Sequence, residues 1–265
     1  MAERLRARLR SFDTVVVALS GGVDSTVLAA VAVIELGERA LAVTGVSPSL
    51  AAVELAAIRR FCAARALAHA TVLTREMQNP GYTANSPERC YFCKRELFLA
   101  IGELARARGF ALILDGTNAD ELRGHRPGKR AAAELEVVSP FVDIGATKDE
   151  IRALARDLGL EVADKPASPC LSSRIAYGVP VTVERLTRVG RAESRLRELG
   201  FHELRVRLHD SIARIEVPKH ELSRVLEHAD RITRELQELG FVYVTLDLAG
   251  LRSGSLLEAV AEERQ

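Results

Sequence analysis

The stretch from Thr14 to Ala32, TVVVALSGGVDSTVLAAVA, constrains this chain more than any other. Val15, Val16 and Val17 are a β-branched apolar run of the kind that makes a buried strand. Ser20-Gly21-Gly22 breaks that run, and Asp24, Ser25 and Thr26 stand where a helix begins. Adjacent glycines let the backbone approach an anion closely, while the free N–H groups and the dipole of the following helix favour negative charge there. Strand, glycine turn and helix in this order predict a cradle for nucleotide phosphates.

The cradle lacks the four-residue spacing between glycines and the closing Gly-Lys-Ser/Thr of the common P-loop. SGGVDST instead resembles the PP-loop of ATP pyrophosphatases, which split ATP between its α and β phosphates and adenylylate a substrate oxygen. The resemblance implies that Ser20, Gly21, Gly22, Asp24, Ser25 and Thr26 bind ATP, with Asp24 placing magnesium. As a purely structural residue, Asp24 would cap the helix.

Downstream, RALAVTGVSP reads as a second buried strand, Leu50 to about Ala68 as an alanine-rich helix, and His69 to Leu73 as a short strand. QNPGYTANSPERCYFCKRELF is rich in turn formers before it becomes helical near Arg89. Ala111 to Leu114 is the clearest remaining strand, and the polar turn Asp115-Gly116-Thr117-Asn118 with Asp120 follows it. Ligands of doubly wound sheets bind outside the carboxyl ends of strands, so this turn and the Ser20–Thr26 loop are expected to share one crevice. Arg126, in a basic loop, and Lys148 are candidate phosphate ligands; a further strand is expected near Val137 and Val138. Thr147 and Glu150 have the spacing of a capping box.

ADKPASPCLSSRIAYGVPVT is a long irregular segment, and the texture changes after it. A boundary near Gly178 gives two expected domains, 1–178 and 179–265. The first is α/β, a doubly wound and mostly parallel sheet; the second is a smaller α+β domain. In the second, helix 182–199, strands 204–208 and 212–217, one helix 218–239 and a last strand 242–246 are expected. Arg205 and Arg207 lie two apart on one strand, so both guanidinium groups leave the same face, as a fork for phosphate or carboxylate or as an exposed charged face.

With 37 basic and 36 acidic residues, the net charge of +1 gives no argument for a nucleic-acid coat or a membrane surface, and leaves local patches open. MAERLRARLRSF reads as a short surface helix, not a signal peptide, and no stretch approaches a spanning length, so a cytoplasmic protein without a membrane partner is expected. Four cysteines without a secretion signal point to metal or redox chemistry. Cys62 lies inside a helix and reads as a small hydrophobe. Cys90 and Cys93 fall three apart at a helix start, where both thiols can face one point, and Cys170 is a third. Three thiolates suit a four-iron four-sulfur cluster with one free iron, or a zinc site completed by a carboxylate or histidine.

SGGVDST, LDGTNADE followed by RPG, ASPCLSSRIAYG, RVRLHDSIARIEVP and FVYVTLDLAGLRSG together resemble the LarE family of sulfur transferases and span nearly the whole chain. The resemblance implies an enzyme that adenylylates a pyridinium dicarboxylate mononucleotide with ATP and magnesium and converts the carboxylate to a thiocarboxylate, in nickel-pincer nucleotide biosynthesis for lactate racemase. One branch gives up the sulfur of a single cysteine, at the position of Cys170, and lacks the CxxC pair. Three-cysteine members carry a four-iron four-sulfur cluster, which here implies Cys90, Cys93 and Cys170 as ligands and sulfide, or a sulfide donor, as a partner. Cys170 and Asp24 are then the catalytic positions. Gly116, Thr117, Asn118 and Arg126 join the ATP site, and Ser172, Glu193, Arg205 and Arg207 bind substrate, its phosphate lying at a subunit contact of a homohexamer. Sacrificial transfer from Cys170 and a tRNA-thiolating PP-loop enzyme are the rival readings; an amidating PP-loop enzyme would not need the three cysteines.

Overall fold

The computed structural model describes residues 1–122, 127–166 and 169–252. The chain divides into two compact units, Met1–Asn79 with Glu88–Ser168, and Pro80–Pro87 with Pro169–Gln265.

At the centre of the first unit is β1 (Val15–Ala18), every residue of which is buried. Val15 and Val17 enter one apolar cluster and Val16 and Ala18 another, as the two-residue period of a strand requires when both sheet faces are covered. The first face is covered by α1 (Ala2–Arg10), α2 (Val23–Leu36) and α3 (Ala52–Ala64). The other is covered by α4 (Arg89–Ala107) and by Ala132 of α5 (Pro127–Glu134). Helix α6 (Lys148–Asp157) adds Ile151, Leu154 and Ala155 to the first cluster. The amino-terminal helix is thus more than a surface element, because Leu5 and Leu9, four apart, are fully buried.

The sheet has the order β3-β2-β1-β4, all parallel, with β2 at Ala40–Val46, β3 at His69–Leu73 and β4 at Leu112–Leu114. Successive strands step outward from β1 to β3, and the chain then returns to place β4 on the other side of β1. The reversal makes the gap between β1 and β4 the topological switch point, where ligands of doubly wound folds bind. The expected strand near Val137 is reduced to an isolated bridge between Leu114 and Val138. Pro140, two residues on, has no N–H to continue a ladder.

In the second unit, β5 (Arg205–His209) and β6 (Ile212–Glu216) form an antiparallel hairpin, and β7 (Tyr243–Leu246) runs parallel to β6. Asp210 takes φ of 52°, the left-handed conformation of a tight hairpin turn. Helix α7 (Val183–Glu198) precedes the hairpin, and α8 (Ala229–Glu238) precedes β7. The single helix expected over 218–239 is broken: a 3-10 turn, a short helix Leu222–Glu227 and α8 are separated at His228, whose φ of −103° and ψ of 12° leave the helical region. Pro80–Pro87 joins this unit because the Asn85 side chain donates to the carbonyls of Ala176 (2.7 Å) and Val179 (2.8 Å).

Candidate active site

The loop after β1 and the turn after β4 meet in the first unit at the switch point. Gly21 has φ of +79°, and a Cβ there would lie 2.9 Å from Ile58 Cγ1, so both backbone and space demand glycine. Gly22 is the N-cap of α2 and offers no side chain, which leaves the amides of the first turn facing outward. Ser25 is buried and its hydroxyl ties the loop together: it accepts from the Ser20 amide (3.2 Å), lies 3.0 Å from Ser20 Oγ and donates to the Gly22 carbonyl (3.2 Å). Thr26 is buried one turn into the helix, its amide bonded to the Gly22 carbonyl at 3.0 Å.

A Cβ on Gly116 would lie 2.7 Å from the Ser25 amide nitrogen and 3.0 Å from the Asp24 carbonyl carbon. The two segments therefore touch backbone to backbone, as their positions in the sequence predict. Asp115 is buried and organises the turn, accepting from the Thr117 amide (3.1 Å), the Thr117 hydroxyl (2.8 Å) and the Ser139 hydroxyl (2.7 Å). Asn118 accepts from the Asp120 amide (3.1 Å) and donates to Asp24 Oδ1 at 3.2 Å. Asp24 is not a cap: it sits in the first turn of α2, and its other carboxylate oxygen forms an ion pair with Lys148. Lys148 opens α6, where Thr147 and Glu150 form the expected capping box and the Lys148 amide donates to Asp120 Oδ2 at 2.7 Å. The amide hydrogen bond from Thr147 is the main cause holding the Glu150 carboxyl below its ordinary range.

Lys165 is a cation of this neighbourhood that sequence patterning did not single out. Its Nζ lies 2.5 Å from Glu54 Oε2 and 3.2 Å from the Gly21 carbonyl oxygen. The signal was its place in the irregular KPASPC segment, which turn chemistry alone does not resolve. Arg126 lies outside the described residues.

Of the cysteines, Cys90 is exposed and Cys93 half-buried, about one turn apart at the start of α4. Cys62 is buried, and burial pushes its thiol up to about 11, so it has little thiolate to offer a metal. Cys170, in the second unit, is exposed. Among the described residues, no group of three or more His, Cys, Asp or Glu side chains forms a preassembled metal site.

The second unit holds the predicted substrate residues in a buried ionic cluster. Glu193 of α7 is 0% exposed and accepts from Arg174 Nε (2.7 Å), Arg197 (3.0 Å) and the Val206 amide (3.2 Å). Arg207 donates to Glu216 (3.0 Å) and to the Ser173 carbonyl (2.7 Å), and Arg205 donates to the Arg252 carbonyl (3.0 Å). Arg205 and Arg207 thus share a strand face as expected, but that face is buried and not solvated. Burial first, then the charges of Arg207 and Arg174, pull Arg205 below its ordinary pKa. Ser172 is buried and 2.5 Å from the Tyr82 hydroxyl. Arg174, buried in the same cluster, was not singled out although it lies within the ASPCLSSR string; nothing in spacing distinguishes a buried arginine from a surface one.

The asparagine synthase family model matches residues 1–172. Over 256 residues, 96% of each chain, the protein is 46% identical to an uncharacterised protein of Synechocystis. It is 36% identical over 264 residues, 97% of this chain and 94% of the relative, to the pyridinium-3,5-bisthiocarboxylic acid mononucleotide synthase of Lactiplantibacillus plantarum. An uncharacterised protein of Methanocaldococcus jannaschii is 31% identical over 169 residues, 64% of this chain and 66% of the relative. No helix among the described residues is long and apolar enough to cross a membrane. With a PP-loop packed on a Gly-Thr-Asn turn at the switch point of a parallel sheet, and sequence identity running through both units, the chain belongs to the LarE family of ATP-dependent PP-loop enzymes.

Proposed function

We propose that this chain uses ATP to adenylylate a carboxylate of a pyridinium dicarboxylate mononucleotide and exchanges the adenylate for sulfur, giving a thiocarboxylate for nickel-pincer nucleotide synthesis. The observation that carries the reading is the meeting of Ser20–Thr26 with Gly116–Asn118 around Asp24. A carboxylate is a poor electrophile, and adenylylation turns its oxygen into a leaving group. The backbone amides at Gly21, Gly22 and the start of α2 would hold the departing pyrophosphate, whose charge the helix terminus favours. Lys148 would exchange its bond to Asp24 for a phosphate oxygen, and Asp24, released, would face the metal that accompanies ATP. A carboxylate beside a phosphate cradle fits magnesium, which supplies charge neutralisation there.

Cys90, Cys93 and Cys170 would hold a four-iron four-sulfur cluster. The donor set fits: three cysteines, of which Cys90 and Cys170 are exposed, leave one iron open, and the buried Cys62 does not compete. When bound, such a cluster supplies an exchangeable sulfide. Arg205 and Arg207 would bind the mononucleotide phosphate, with Ser172 and Glu193 in support. A bisthiocarboxylic acid, the compound in the name of the Lactiplantibacillus relative, would require two rounds on one substrate. Assembly as a homohexamer, with the phosphate site at a subunit contact, belongs to the same reading.

Iron and acid-labile sulfide analysis of anaerobically purified protein tests it. About four of each per chain, lost when Cys90 and Cys93 are replaced by serine, is the expected result. A colourless zinc protein that still transfers sulfur would overturn the cluster.

A further inference from the structure

Cys170 sits on a segment that is held from beneath by buried side chains. It is the exposed N-cap of a 3-10 turn, Leu171–Arg174, whose Leu171, Ser172 and Arg174 are buried. Arg174 is 3% exposed, and all three of its guanidinium nitrogens donate. On one side it forks onto Glu193, through Nε to Oε1 at 2.7 Å and Nη2 to Oε2 at 3.3 Å. On the other, Nη1 donates to the Pro169 carbonyl (2.5 Å), to the Cys170 carbonyl (3.4 Å) and to Ser173 Oγ (3.0 Å).

We infer that Arg174 is the positioning residue of Cys170: its guanidinium clamps the Pro169–Ser173 backbone onto α7 and so fixes where the exposed thiol stands. The inference rests on the role given to Cys170 in the proposed function and adds the device that orients it. The chemistry explains the residue types. Only a planar guanidinium can fork onto a carboxylate and donate to two carbonyls at once; a lysine ammonium is a point charge that can satisfy one side. Glu193 is then the counter-charge of the clamp. Its oxygens already accept from Arg174, Arg197 and the Val206 amide, which leaves it suited to holding arginines in place and unsuited to touching a phosphate. Arg207 contributes a second hold, donating to the Ser173 carbonyl from β5. The thiol and the proposed phosphate site therefore share hardware within one unit.

Hydrogen exchange on the full-length, ligand-free protein reads the clamp directly, with the Arg174→Lys variant beside the parent. The expected result is exchange about tenfold faster in the peptide covering 169–175, where the Ser173 amide bonds to the Cys170 carbonyl, while β5 and α7 keep parental protection. Sulfur transfer is expected to fall about a hundredfold, as misplacement of a reacting group does, with pyrophosphate release from ATP within about twofold of parent. Should Arg174→Lys not fold, Ser173→Ala, which removes one acceptor of Arg174 Nη1 and leaves Glu193 with its α7 and β5 partners, is expected to give a smaller loosening confined to the same peptide. Unaltered exchange over 169–175 in a folded variant, or loosening spread equally over β5 and α7, overturns the positioning role. A parent protein that transfers no sulfur overturns the proposed function instead and leaves the exchange pattern standing.

Discussion

Lys148 Nζ and Asp24 Oδ2 form an ion pair that joins the first turn of α6 to the first turn of α2, beside the glycines of the proposed phosphate cradle. Half-exposed pairs of this kind add at most about 1 kcal/mol to stability. Its value is therefore expected in the reaction and not in the fold. Lys148→Ala should cut ATP-dependent pyrophosphate release about a hundredfold, since a cation beside the transferring phosphates is lost, while the thermal midpoint moves only slightly. Pyrophosphate release close to parental in this variant would remove Lys148 from the site.

Gly116→Ala tests the backbone contact between the two segments proposed to hold ATP. The added methyl would sit 2.7 Å from the Ser25 nitrogen and 3.0 Å from the Asp24 carbonyl carbon, neither of which is the flexible end of a side chain. The expected cost is about 1–3 kcal/mol in urea unfolding, with weakened nucleotide binding, because the loop must move to admit the methyl. Gly145 is a fair control for the absence of crowding: no atom lies within 4 Å of its added Cβ, although its φ of +63° retains the conformational penalty.

Two histidines make stability depend on pH with a definite sign. Burial, then the charge of Arg59, lowers the pKa of His69, which contacts Thr44 Oγ1 at 3.0 Å. Burial, then Arg214 and Arg207, lowers that of His209 against the opposing pull of Glu216 and Asp210. Both are held below the unfolded value of about 6.5, so the unfolded chain binds more protons in that window and stability is lost as pH falls below it. The urea midpoint should be lower at pH 5.5 than at pH 7.5, and His69→Gln with His209→Gln should flatten the difference. A midpoint that rises on acidification, with the difference unchanged in the double variant, would contradict the assignment.

The strand, glycine turn and helix of residues 15–36 were legible in the sequence because their physics is local: three β-branched residues, two glycines and a helix start occupy consecutive positions. The capping box at Thr147 and Glu150 was legible for the same reason, since both partners lie within one turn. The break at His228 was not, because 218–239 keeps enough apolar spacing to suit one continuous helix, and the backbone departs from it without a proline or glycine. Nor was the burial of the arginines. Arg174, Arg205 and Arg207 are of a type that composition places at the surface, and the ion pairs of Arg174 with Glu193 and of Arg207 with Glu216 help to make such burial tolerable. For Asp24 only the purely structural alternative, a helix cap, is set aside; its partners Asn118 and Lys148 are 94 and 124 positions away and left no local signal.

The central claim, catalytic ATP-driven sulfur transfer, is tested most directly by one anaerobic reaction of the full-length protein with ATP, magnesium, sulfide and pyridinium dicarboxylate mononucleotide. Thiocarboxylate product is counted against enzyme, and the mass of the peptide carrying Cys170 is read at the end. The account predicts AMP and pyrophosphate in step with product, product in excess over protein chains, and an unaltered Cys170. A yield that stops at one sulfur per chain with Cys170 converted to dehydroalanine, or no thiocarboxylate at all, would contradict it.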